Sequence, residues 1–143
     1  MAYFLKISMP SLCAALLVSV LLFVERQRTF CTPITLGESV LCVEVVSTEE
    51  AITQGLSGRE TLGADGMLFY MPESERYGFW MKDMHFPIDI VWIDAENIVT
   101  EISYNLQPET YPTIFRPLQS AQHVLEVPAG IAQSVWIGKV LLR

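Results

Sequence analysis

The sequence predicts a mainly β domain of the α+β class, preceded by an N-terminal transmembrane helix. Two observations indicate the domain: short apolar runs are separated by turn residues along residues 31–143, and only one stretch carries helix signals. We expect a compact, mostly antiparallel sheet that is curled or closed into a small barrel, with one short helix. The 143 residues therefore divide into an N-terminal membrane anchor or signal segment, 1–30, and a single domain, 31–143.

The expected elements follow from apolar runs and their breakers. Ser47 is predicted to cap the helix, Glu50 completes a capping box, and Gly55 ends the helix. The three prolines within 105–120 predict a long irregular segment, which we interpret as a lid or binding loop. The predicted strands cover residues 34–36, 40–46, 66–71, 77–84, 88–93, 98–104, 122–127 and 139–142.

Residues 7–24 form an uncharged apolar run, just long enough to cross a membrane as a helix. No good pair of small residues follows this run, which favours an uncleaved anchor over a removed signal peptide. We expect a single-pass protein of the cell membrane, held through residues 7–24, with its domain on the extracytoplasmic side. The flanking charges are nearly balanced and do not set the orientation by themselves.

The charge balance excludes one class of partner. The chain has 9 basic and 16 acidic residues, a formal net charge of −7, and the acidic bias lies beyond residue 30. Such a surface repels phosphate backbones, so nucleic acid is not an expected partner.

Cys31 and Cys42 are the candidate disulfide. A hairpin with the turn Gly37-Glu38 would place Cys42 opposite Pro33 and diagonal to Cys31 on one face. That offset is near the limit for a bridge, so two free thiols are the alternative.

Five blocks occur in order along the domain: GLSGR at 55–59, GMLF at 66–69, FWMK at 79–82, PIDI at 87–90, and VLEVPAG at 124–130. On these blocks the chain resembles the domain-of-unknown-function family 192. The resemblance covers roughly residues 40–140 and implies a small β-rich domain that is often exported or membrane-anchored. It implies no activity, substrate or cofactor.

Two carboxyl groups fall inside apolar strands and need partners, because a buried charge without one is costly. These are Asp89 and Glu126, and the basic residues in the five blocks are Arg59 and Lys82. We predict that the four converge, with Arg59 paired to Asp89 or Glu126 and Lys82 at the same cavity. Trp80 joins them as a ligand-binding candidate, since its ring offers a stacking face and one donor. The alternative is that these charges only fix loops.

The function that these residues favour is a small-molecule or glycan-binding or accessory module. The alternative is a small extracytoplasmic hydrolase or lyase that uses a carboxylate, and a structural interaction through a sheet edge stays open. No catalytic residue is assigned, and no cofactor is expected. No metal is expected either, because neither His85 nor His123 stands in a ligand motif.

Overall fold

The computed structural model describes residues 31–143, and the predicted anchor lies outside these residues. None of the helices in this range has the length and apolarity to cross a membrane. The described chain forms one seven-stranded sheet with the order β5-β4-β6-β3-β2-β1-β7. Its strands are β1 (Thr32–Leu36), β2 (Ser39–Val46), β3 (Gly66–Glu75), β4 (Ile88–Ile93), β5 (Val99–Leu106), β6 (Ala121–Pro128) and β7 (Leu141–Leu142). One α-helix, α1 (Glu49–Gln54), joins β2 to β3, and 3-10 turns cover Pro108–Thr110 and Ser134–Trp136.

The sheet is mostly antiparallel, as predicted, with one parallel pair. A hairpin turn cannot join parallel strands, and the crossover between β2 and β3 carries α1. The edge strands meet at one end, where Ile98 bridges Val140. Of the two expected forms, a curled sheet or a closed small barrel, the structure has the curled sheet, a half-barrel, because β5 and β7 are not paired along their lengths.

The first hairpin has the predicted register. Pro33 lies opposite Cys42, and Gly37 turns the chain with a positive φ of 61°. Cys31 and Cys42 form a disulfide, with their Cα atoms 5.3 Å apart. Helix α1 ends at Gly55 as predicted, but its cap is Thr48 rather than Ser47, since the Thr48 side chain accepts the Ala51 N–H.

The sheet is buried on both faces, each against its own cluster. Side chains alternate along a strand, so Trp92 lies on one face and Val91 and Ile93 lie on the other. Face A, as we call the side of Trp92, is covered by α1 and the loops that follow it. Face B, the side of Val91, is covered by the C-terminal segment with Trp136.

Residues 77–84 are not the predicted strand. They form an irregular segment with one bridge, between Phe79 and Phe115. The Phe79 ring inserts between Phe69 and Trp92, with ring centroids 5.3 and 5.5 Å away. Residues 77–84 are apolar because their side chains pack on face A, beside the loop 105–120, and not because the segment is a strand.

Candidate functional site

Glu126 is the buried carboxyl group of face A. In β6 it lies opposite Met67 of β3 and Ile90 of β4, and it is 5% exposed. Among the described residues no group hydrogen-bonds its side chain, and its Oε2 atom is sealed from solvent without a partner. Burial raises the pKa of Glu126 from its ordinary 4.5 to about 8, so the carboxyl is protonated at neutral pH.

This carboxyl lines a cavity of about 260 Å³, which we call the inner cavity. The polar groups on its wall include Gln54, Ser57, Tyr77 and Trp80. The remaining wall is dominated by apolar side chains, among them Ile52, Leu56, Phe69, Met71, Phe79 and Met84. A mostly apolar wall with few polar groups is the usual composition of a small-molecule site.

Trp80, the ligand-binding candidate of the sequence analysis, is one of the residues that line the inner cavity. Its side chain is 52% exposed, and its ring meets that of Tyr111 edge-on at a centroid distance of 6.5 Å. Trp80 also lines a second, more open space of about 650 Å³. We call this space the outer groove; its lining comprises Glu49, Glu50, Thr53, Gln54, Ser57, Trp80, Lys82 and Asp83.

Lys82 belongs to the outer groove and not to a cluster with the two buried acids. Its side chain is exposed, and within residues 31–143 it has no ion pair. Its carbonyl accepts the Ser57 hydroxyl at 2.9 Å, and the Asp83 carbonyl accepts the Gly58 N–H at 2.7 Å. These bonds attach residues 81–84 to the loop that follows α1.

Asp89 is on the opposite face from Glu126. The two strands are neighbours, but Asp89 pairs with Val127 and Glu126 pairs with Ile90, one residue out of step. The Asp89 carboxylate accepts three backbone N–H groups, from Asn105 at 2.7 Å, Gly130 at 2.8 Å and Ala132 at 3.2 Å. Asp89 thus fixes the end of β5 and the chain that follows β6, which is the loop-fixing alternative.

Arg59 does not pair with Asp89 or Glu126, so that prediction is wrong. Arg59 forms a bidentate ion pair with Glu44 of β2, in which Nη1 donates to Oε2 at 2.6 Å and Nη2 donates to Oε1 at 3.0 Å. Met67 of β3 pairs with Glu44 on one side and with Glu126 on the other. Glu44 and Glu126 therefore lie on the same face of the sheet, separated by β3. Both partners stay partly exposed, so this pair needs less desolvation than one with the fully buried carboxyl.

Of the predicted site residues, the structure brings Glu126 and Trp80 to one cavity and Lys82 to the adjoining groove. Sequence reasoning missed the apolar wall of the inner cavity, such as Phe69 and Met71, and the acidic residues of the outer groove. Phe69 and Met71 carried a signal, because they alternate with residues facing the other way in β3. Glu49, Glu50 and Asp83 carried none, since exposed acids on a short helix and a turn are ordinary surface residues.

Within residues 31–143, one other buried side-chain atom lacks a hydrogen-bond partner. Nδ1 of His123 makes no hydrogen bond with the described residues, and burial lowers the pKa of this histidine. Its ring lies 4.4 Å from that of Tyr70, on face B. Within residues 31–143 no three metal-ligating side chains come together.

The sequence model of the domain-of-unknown-function family 192, described as an uncharacterized ACR, matches residues 32–140. The chain belongs to this family. Two solved structures share the family 192 fold seen here. One, a protein of unknown function from Novosphingobium aromaticivorans DSM 12444, is 27% identical, with a TM-score of 0.70 over 79% of this chain and 85% of that one. The other, from Sinorhizobium meliloti 1021, is described as a candidate transcription regulator and is 26% identical, with a TM-score of 0.66 over 76% and 88%. No curated protein matches the chain.

Proposed function

We propose that this family 192 domain binds a small, mainly apolar or aromatic molecule that carries one hydroxyl or amide group. The observation that supports it is the Glu126 carboxyl, buried in the wall of the inner cavity without a hydrogen-bond partner among the described residues. An unsatisfied buried polar group costs about 1–3 kcal/mol. A ligand that bonds it recovers part of this cost, and the bond fixes the ligand's orientation.

The protonation state decides what the carboxyl recognises. With a pKa of about 8, Glu126 is neutral at pH 7 and both donates and accepts a hydrogen bond. A hydroxyl or amide attached directly to the ring of the ligand matches this pair of bonds. A sugar ring fits less well, because its other hydroxyl groups would be left without partners against walls such as Phe69 and Met71.

The raised pKa also supports the alternative, a hydrolase or lyase in which Glu126 is a general acid. That chemistry needs a second group to activate water or abstract a proton. Glu126 is the only carboxyl among the described residues that line the inner cavity, and no histidine or lysine lines it. Binding is therefore the function that the geometry supports better.

We propose further that the domain is held at the extracytoplasmic face of the cell membrane by residues 7–24. The support is the uncharged apolar run and the Cys31–Cys42 disulfide, which suits an oxidising compartment. The full-length protein should remain in the membrane fraction through high-salt and carbonate washes. A soluble product that begins near Thr32 would contradict the anchor.

Binding is tested with two probes that differ by one phenolic hydroxyl, tyrosol and 2-phenylethanol. The full chain is placed in phospholipid nanodiscs and titrated by tryptophan fluorescence, with empty nanodiscs as the blank. We expect tyrosol to bind about tenfold more tightly, the worth of one buried hydrogen bond. Glu126→Gln should keep this preference, since an amide also donates and accepts, and Glu126→Leu should abolish it.

The matched control is Glu96→Gln, an exposed acid in the turn between β4 and β5, which should change neither affinity. Absence of tyrosol binding to the wild-type chain, or an unchanged preference in Glu126→Leu, would overturn the proposal.

A further inference from the structure

The inner cavity and the outer groove are two parts of one depression. Thr53, Gln54, Ser57 and Trp80 line both, so a molecule can lie in the inner cavity and extend into the outer groove without leaving the protein surface. Trp80, at 52% exposure, forms the boundary between them. A ligand longer than a single ring would therefore place its far end in the outer groove.

The outer groove is acidic. Three carboxylates line it, Glu49, Glu50 and Asp83, against one cation, Lys82. The domain as a whole is also acidic, with the excess of acids lying beyond residue 30. Both the local and the long-range field therefore favour a positively charged group in this groove.

A second, independent observation indicates that this is a ligand site and not only an acidic surface. At the inner end of the same depression the Glu126 side chain is buried, and its carboxyl has no partner among the described residues. The two ends demand different chemistry: a hydroxyl or amide on an apolar ring inside, and a cation outside. The exposed face of Trp80 adds a favourable surface for a cation at the boundary.

We infer that the ligand is an amphipathic amine, whose aromatic ring lies in the inner cavity and whose protonated amine lies in the outer groove beside Glu49, Glu50 and Asp83. This inference rests on the proposed function and adds the charge of the ligand to it. The amine remains solvated at one side, because the groove is open and its acids are exposed.

Three probes that share the phenol test the charge: tyramine is cationic, tyrosol is neutral, and 3-(4-hydroxyphenyl)propionate is anionic. With the full chain in nanodiscs at low salt we expect tyramine to bind about five- to tenfold more tightly than tyrosol, and the anion to bind more weakly than either. The advantage of tyramine should shrink at high ionic strength. Empty nanodiscs again serve as the blank.

Two substitutions in the outer groove should change the affinity for tyramine in opposite directions. Asp83→Asn removes one acid and keeps the backbone, since asparagine tolerates the positive φ of 54° at this position. We expect about a threefold loss of tyramine affinity and a smaller loss for tyrosol, whose terminal hydroxyl is uncharged. Lys82→Gln removes the opposing cation and should strengthen tyramine binding about twofold. Glu96→Gln, outside the groove, should change neither probe.

The outcomes separate this inference from the proposed function. In one outcome tyrosol binds in a way that depends on Glu126, while tyramine binds equally well or the propionate binds more tightly. That result would overturn the inference that the ligand is an amine and leave the proposed function standing. Failure of both tyrosol and tyramine to bind would overturn both.

Discussion

Two buried carboxyl groups on neighbouring strands have opposite surroundings. Asp89 faces the cluster with Val91 and accepts three backbone N–H groups. Glu126 faces the cluster with Trp92, lines the inner cavity, and has no partner within residues 31–143. Burial alone therefore does not mark a functional group. The number of hydrogen bonds that each carboxyl receives separates a scaffold group from a group with unused bonding capacity.

The largest expected effect is a gain in stability when Glu126, the carboxyl without a hydrogen-bond partner among the described residues, is replaced. The Glu126 carboxyl titrates near 4.5 in the unfolded chain and near 8 in the folded protein, so the unfolded state is favoured as the pH rises between these values. Glu126→Gln has no such titration. We expect this variant to be more stable than the wild type by about 4 kcal/mol at pH 7.5, with the difference vanishing near pH 4.

Urea unfolding of both proteins at pH 4, 6 and 7.5 measures this difference directly, because contributions from all other groups cancel. Glu96→Gln is the control and should track the wild type. A Glu126→Gln difference that does not vary with pH would contradict a raised pKa for this carboxyl.

The second largest effect is a loss of stability when Asp89, the hydrogen-bonded carboxyl, is replaced. Asp89→Asn removes the charge and turns an amide N–H₂ toward backbone donors, so at least one of the three N–H bonds is lost. We expect a destabilisation of about 2–3 kcal/mol in urea unfolding. Tyrosol affinity should be unchanged, since Asp89 lies on the face away from the inner cavity. A folded Asp89→Asn protein that loses tyrosol binding would break the distinction between the two carboxyls.

The smallest effect belongs to the partly exposed ion pair. The hydrogen bonds from Arg59 hold the pKa of Glu44 below its ordinary 4.5, and both side chains are screened by solvent. Arg59→Ala should therefore cost only about 0.5–1 kcal/mol at neutral pH. The contribution of the pair is complete above pH 4.5 and is lost as the pH falls through the lowered pKa, so the two proteins should converge in acid. A loss of several kcal/mol at neutral pH would mean that Arg59 also supports the buried carboxyl.

Much of the sheet could be predicted from the sequence, because local rules determined it. The turn at Gly37 sets the register of the first hairpin and with it the Cys31–Cys42 pair. Alternation along a strand puts Asp89 on the face of Val91 and Glu126 on the face of Val124, and the structure has this arrangement. The segment 77–84 was predicted incorrectly, because an aromatic run that packs flat on a sheet has the composition of a strand.

The four charges do not converge as predicted, and the sequence could not show this, since their placement depends on the register between strands that are distant in sequence. A shift of one residue between β4 and β6 decides whether Asp89 and Glu126 share a face. The partner of Arg59 was missed for a related reason. Arg59 lies in the crossover between β2 and β3, where it reaches Glu44 of β2, and no local signal predicts the parallel pairing that this crossover serves.

Direct titration of the Glu126 carboxyl carbon by ¹³C NMR tests the central claim, that this buried group is protonated and free to bond a ligand. Its resonance is assigned by its disappearance in Glu126→Gln. We expect a pKa near 8 for the wild-type protein and a shift of this pKa on saturation with tyrosol, because the ligand hydroxyl bonds the carboxyl directly. A pKa near 4.5, or one that tyrosol does not change, would contradict the account.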